Sequence, residues 1–238
     1  MGNASNLQLN QALYLCQVGI NEVPPKAMEE KILPELIWSD SAQHNVEVLL
    51  KARTTSKTVI YGIIDSAADD TLYDQLMGEP AKSQVTCLFE GAPAIRYRDT
   101  APYIFALNLD SPLSLAWIER GWRQHWGIWL TSAQPLSLLK AHFKKFLFVQ
   151  TAKKEKAYFR FYDPRVMNKI MLILSPEQRG QLFGLHHKAM PEAIFTAVPP
   201  SGQLANQLPT LQRYIPKQSG LMKMGHASDL QADQWVWQ

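Results

Sequence analysis

Hydrophobic and polar positions set several distinct rhythms along this chain. The clearest begins after Thr58, where Val59-Ile60-Tyr61-Gly62-Ile63-Ile64 is almost unbroken apolar sequence, the pattern of a strand covered on both faces. Asp65 ends it, and a helix is predicted over about 68–77, closed by Gly78-Glu79-Pro80. Strands are predicted over 84–89 and 102–107, with Glu90-Gly91-Ala92-Pro93 as a turn between them. Further strands are predicted at 126–130, 146–150 and 158–162. In the last, Phe159 and Phe161 alternate with Arg160 and Tyr162, as in a half-buried strand.

Helix starts recur in one form, a capping residue followed by proline. Ser111-Pro112 opens a helix that Gly121 can end, and Gln134-Pro135 stands near the start of another. Asp163-Pro164 and Ser175-Pro176 follow, the last with Gln178 at the capping-box position. Strands and helices alternate, while some strand pairs look like hairpins. The expected class is therefore α/β, a mixed β-sheet flanked by helices. Outside this region, residues 39–53 read as a helix with Val46, Leu49 and Leu50 on one face, and residues 7–18 as helix or strand. A helical continuation over 186–190 is expected after Gly184. Pro199-Pro200, Pro209 and Pro216 then mark 196–218 as an irregular arm, so the C-terminal part is more irregular and helical. The organisation that follows is an N-terminal extension and helix (1–57), an α/β domain (58–184) and a C-terminal arm (185–238).

The length of 238 residues allows a sizeable core, and 46% hydrophobic with 19% charged residues is ordinary for a globular protein. No apolar run is long enough to span a bilayer, and the polar start at Met1–Asn10 predicts no secretory signal. Of the two cysteines, Cys16 and Cys87, the second lies in a predicted buried strand, and a reducing cytoplasm is the default compartment. Charge changes the picture more. Residues 140–169 hold nine Lys/Arg against Glu155 and Asp163, a net +7, which leaves −4 for the rest of the chain. Such a window can mark a nucleic-acid or acidic-partner surface. Lys153-Lys154-Glu155-Lys156, however, reads as a solvated hairpin tip, and no helix-turn-helix, zinc-ligand or RNA-recognition pattern accompanies it.

Candidate chemistry is sparse. A Gly-x-Ser-x-Gly elbow, a phosphate loop, a dinucleotide fingerprint and a His-Glu-x-x-His motif are all absent from the sequence. Asp65, Asp69, Asp70 and Asp74 begin where a buried strand ends, a place where α/β enzymes hold a metal for phosphoryl transfer or hydrolysis. Asp69 and Asp70 suit the first turn of a helix equally well. Trp117, Trp122, Trp126 and Trp129 crowd together with Arg120, Arg123 and His125; the set suits a stacking platform, with Trp122 and Trp126 outward, or a core corner. Asp163 is read as the N-cap of the helix from Pro164, with Arg165 in its first turn as a candidate contact. Trp235 and Trp237 close the chain and suit docking on its own domain or gripping a partner.

Taken in order, several segments form a recognisable series. These are Tyr61-Gly62-Ile63-Ile64-Asp65, Leu88-Phe89-Glu90-Gly91, Ala101-Pro102-Tyr103, Asp110-Ser111-Pro112-Leu113, Gly121-Trp122, Trp126-Gly127-Ile128 and Phe159-Arg160-Phe161-Tyr162-Asp163-Pro164-Arg165-Val166. The series closely resembles the family of bacterial type VI secretion effector chaperones, or effector adaptors, over roughly 58–184. The resemblance implies a cytoplasmic, non-enzymatic protein with no cofactor and no metal. Its expected partners are a toxic effector and the VgrG-type spike onto which the effector is loaded; nucleic acid and a membrane span are not expected. Protein-binding candidates are Arg165, Tyr162, Asp163, Trp122, Arg123, Trp126, Trp235 and Trp237.

Overall fold

The unbroken apolar run becomes the central strand. In the computed structural model, which describes residues 55, 57–79, 84–108, 111–150, 154–184, 190–198, 210–216 and 236–237, strand β1 spans Val59–Asp65. It lies inside a six-stranded sheet of order β2-β3-β1-β4-β7-β8, formed with β2 (Val85–Cys87), β3 (Pro102–Ala106), β4 (Gly127–Ser132), β7 (Ala193–Val198) and β8 (Thr210–Tyr214). Both faces of β1 are covered, which explains why its sequence does not alternate. Ile60 and Ile64 enter one core cluster, whereas Tyr61 and Ile63 enter the other. The first core is filled by Leu72 and Leu76 of α1 (Leu72–Met77), by Leu113 of α3 (Pro112–Ala116) and by the tryptophans that follow it. The second takes α4 (Leu136–Phe143), α5 (Pro164–Ile173) and α6 (Pro176–Leu182), together with Phe159, Phe161 and Tyr162. A smaller sheet of order β6-β5-β9 joins β5 (Phe148–Gln150), β6 (Lys156–Tyr158) and β9 (Val236–Trp237).

The α/β class stands, but every pairing among the described strands is antiparallel, so the sheet is not mixed. The helix predicted over 68–77 divides into a 3₁₀ turn, Ser66–Ala68, and α1. The turn at 90–93 leads into a short helix, α2 (Ala92–Arg96), entered through Gly91 at φ +62°, a left-handed value that glycine adopts without strain. The helices expected after Ser111, Asp163 and Ser175 start where their caps direct. Ser111 and Asp163 accept backbone N–H bonds, and Ser175 and Gln178 complete the capping box.

Two expectations need correction. The strand expected over 158–162 ends at Tyr158, and Phe161 and Tyr162 form a turn in which Tyr162, expected beside exposed Arg160, is buried. The stretch expected as an irregular arm over 196–218 supplies the end of β7 and all of β8, which extend the main sheet beyond β4. Asn168 of α5 ties them down: its Nδ2 donates to the Ala197 carbonyl at 3.0 Å, and its Oδ1 accepts from Tyr214 at 3.0 Å and from Thr196. The predictions for residues 7–18 and 39–53 lie outside the described residues, as do 185–189 of the expected helical continuation, Cys16 and Trp235.

Tight packing explains Gly62 and Gly121. A Cβ on Gly62 would stand 2.5 Å from Cζ3 of Trp117, and one on Gly121 would stand 2.1 Å from its Cδ1. Trp117 is thus clasped between a strand and the π-helical turn Trp117–Gly121 that continues α3, and only residues without a Cβ fit on either side.

Candidate functional site

The end of β1, the start of β4 and the segment before α5 meet at one corner. The Asp65 N–H donates to the Trp126 carbonyl at 2.7 Å, which fixes the carboxyl end of β1 against the approach to β4. The Asp65 side chain is only 2% exposed. Its Oδ2 takes the Arg160 guanidinium in a short charge-assisted bond, and its Oδ1 accepts the Ala67 N–H at 3.2 Å. Arg160 also lies 3.9 Å from Asp163 Oδ2. Asp163 carries a second load. Its Oδ1 accepts the Arg165 backbone N–H at 2.9 Å and Nε at 3.0 Å, while Oδ2 accepts the guanidinium at 2.7 Å. The N-cap and a two-pronged ion pair therefore share one carboxylate.

Burial and charge act differently on the two acids. Burial pushes the Asp65 carboxyl up, and Arg160 only partly offsets that. Burial also works on Asp163, but the hydrogen bonds and charges of Arg165 and Arg160 outweigh it and hold this carboxyl below the usual range. Burial disfavours the Arg160 cation, yet the charge of Asp65, together with Tyr162, Asp163 and the hydrogen bond to Asp65, outweighs this and raises the guanidinium above its ordinary value. Tyr162 and Tyr158 share a hydroxyl–hydroxyl bond of 2.6 Å at the same corner. Burial raises both phenols, Tyr158 to about 12 and Tyr162 further. Both therefore stay protonated at neutral pH.

Arg165 is the more accessible of the two cations at this corner, its side chain 56% exposed against 43% for Arg160, while two hydrogen bonds hold its guanidinium in place. A guanidinium oriented in advance has little conformational freedom left to lose on binding a partner. His125 lies close enough to feel the charges of Arg165 and Asp163. Its backbone is left-handed at φ +56°, its Nδ1 is buried without a hydrogen-bond partner, and burial followed by the Arg165 charge favours the neutral ring.

Of the two readings of the tryptophan set, the core corner is formed and the stacking platform is not. Trp122 and Trp126, expected to face outward, are 2% and 0% exposed, and Trp117 and Trp129 are equally buried. Trp117 and Trp129 lie 4.3 Å apart between ring centroids, and Trp122 packs 5.9 Å from Trp129. None of the four indole N–H groups has a hydrogen-bond partner, so the rings serve as apolar bulk. The turn between Trp122 and Trp126 leaves Arg123 exposed, while Arg120 stacks 5.3 Å above Trp126.

The aspartate cluster also separates. Asp65 faces Arg160, Asp69 accepts from the Thr71 N–H and hydroxyl at 2.9 and 2.6 Å, and Asp70 and Asp74 are exposed. Among the described residues no group of three or more His, Cys, Asp or Glu is placed to hold a metal. Four of the nine cations of the basic window are matched by acids: Lys140 and Lys144 reach Glu90, Arg160 reaches Asp65, and Arg165 reaches Asp163. Among the described residues no helix is long and apolar enough to cross a membrane. Val236–Trp237 pairs with β5 through its backbone, which places the end of the chain on the smaller sheet.

Sequence reasoning missed the partnership of Asp65 with Arg160, two residues 95 apart. The available signal was Arg160 itself, a cation three residues before a capping aspartate at the end of a strand.

Fold and corner together define an antiparallel α/β domain, helices on both faces, that presents an oriented arginine at a locked surface. The family model described as Domain of unknown function (DUF4123) matches residues 60–181, just over half of the chain, and the protein belongs to that family. No curated protein and no solved structure matches the chain.

Proposed function

We propose that this protein is a cytoplasmic adaptor-chaperone of a bacterial type VI secretion system. It binds one toxic effector and helps to load it onto the VgrG-type spike, without catalysing a reaction itself. The observation that carries this reading is the family match over 60–181, which falls on the segments that resemble effector adaptors. The corner supports it in kind: its charged groups lock one another and orient Arg165 instead of converging on a reaction centre. Arg165 and Arg123 supply the contact, with Asp163 and Tyr162 as positioning residues, whereas Trp122 and Trp126 hold the underlying core. Residues 58–184 would form the part shared across the family, which must meet a shared spike. The flanks, with Trp235 and Trp237, would favour one effector over others. Deletion of the gene should abolish delivery of one effector and spare the others, and co-expression should raise that effector's soluble yield. Unchanged delivery after deletion contradicts the proposal.

A further inference from the structure

A groove of about 290 Å³ opens between the turn after β2 and the start of β5. Its floor is apolar, formed by Phe89, Pro93, Leu147 and Phe148. Phe148 and the adjoining Tyr158 are 37% and 42% exposed, unusual for large aromatic side chains. Tyr158 packs on both phenylalanines, with ring centroids 5.7 Å from Phe89 and 5.5 Å from Phe148. The apolar patch is therefore continuous, and Tyr158 links it to Tyr162 at the arginine corner.

The rim is basic. Lys144 and Lys145 line it, Lys144 lies 2.8 Å and Lys140 3.9 Å from Glu90, and Lys156 stands 4.3 Å above the Phe148 ring. Among the described residues Glu90 is the one acid lining the groove, and it is met by Lys140 and Lys144, while Lys145 on the rim and Lys156 over Phe148 add further positive charge. We infer that this groove receives a short acidic and apolar segment of the effector. An apolar side chain of that segment rests on Phe89, Leu147 and Phe148, and its carboxylates meet Lys145 and Lys144, the latter exchanging Glu90 for the partner. The volume is at the small end for ligand pockets, which suits one or two side chains and not a folded surface. Single-stranded nucleic acid also combines cations with aromatics, but stacking needs open ring faces. Here Tyr158 is inclined 51° to Phe89 and 56° to Phe148, and Lys156 already covers one face of Phe148.

The inference rests on the adaptor reading, and the test separates the two. Fluorescence anisotropy of the full chain is measured with a labelled peptide alternating Phe/Leu with Asp/Glu. The controls are its Asn/Gln counterpart, its counterpart with Ser for Phe/Leu, and labelled oligothymidine. The acidic apolar peptide should bind at least about tenfold more tightly than any control. Lys144→Glu combined with Lys145→Glu, and separately Phe148→Ser, should each weaken it about tenfold while melting stays unchanged. Equal binding of the control peptides, tighter binding of oligothymidine, indifference to the substitutions, or no peptide binding at all overturns the inference. Co-purification with the effector supplies the second arm. If both variants retain the effector as the wild type does, the groove inference fails and the adaptor reading stands. If the wild type retains no effector yet binds the acidic peptide as described, the adaptor reading fails and the groove chemistry stands.

Discussion

Asp163 joins a helix cap to an ion pair, and the two roles separate experimentally because asparagine also caps helices well. Asp163→Ala should cost about 1–2 kcal/mol by thermal or denaturant melting, and Asp163→Asn less. The charge contribution has a definite pH dependence. Because the folded carboxyl is held below its ordinary value of 3.8, its stabilisation is present above that value and lost as pH falls through the depressed one. The stability gap between wild type and Asp163→Asn should therefore be widest near neutrality and close below about pH 3.8, whereas a constant gap would mean the charge contributes nothing. Arg165→Ala should cost about 1 kcal/mol while weakening effector retention, because the Arg165 side chain is exposed and the buried Asp163 carboxylate keeps the backbone N–H of residue 165 and the nearby Arg160. A large loss of stability would assign Arg165 to the fold instead. At this scale the sequence was informative where the chemistry is local: Asp163-Pro164 directs a cap within a few residues. Tyr162 was misplaced because the strand's alternation ends at Tyr158, and the turn beyond it directs both Phe161 and Tyr162 inward.

The elements show where local pattern stops being enough. The continuous hydrophobicity of β1 identified a central strand, and Ser175 with Gln178 identified a helix start, because each signal lies within one element. The four tryptophans were ambiguous for the opposite reason. Whether an aromatic cluster stacks on a ligand or on its own sheet depends on distant residues, here Phe105 of β3 and Gly62 of β1. The packing is testable at Gly121, where an added methyl would meet Trp117 Cδ1 at 2.1 Å and Trp126 Cε3 at 2.7 Å. Gly121→Ala should destabilise the domain by about 1–3 kcal/mol or more, seen as a lowered melting midpoint. A variant that melts like the wild type would show that the turn does not clasp Trp117 as described. β8 escaped notice because Pro209 and Pro216 flank its five residues in a stretch whose composition is dominated by proline, and β7, running up to Pro199, straddles the start of that stretch.

For the whole molecule, the main sheet reaches further along the chain than the family match, since β7 pairs with β4 and β8 pairs with β7. Ending the chain after Thr196 would remove β8 and Tyr214, strip Asn168 of its bonds to Ala197 and Tyr214, and cut β7 short. The truncated protein should be insoluble or markedly destabilised, because buried sheet surface and backbone hydrogen bonds are exposed together. A soluble fragment with an unchanged melting midpoint would show that these strands are dispensable. The central claim concerns a partner, and co-purification tests it most directly. The full chain, tagged and co-expressed with a candidate effector encoded beside it, is isolated and the effector's stoichiometric retention is measured, with Arg165→Ala in parallel. The adaptor account predicts a stable complex with the wild type, a higher soluble yield of the effector, and weakened retention by a variant that still melts normally. Isolation of the folded wild-type chain without any neighbouring effector, and no gain in effector solubility, would contradict it.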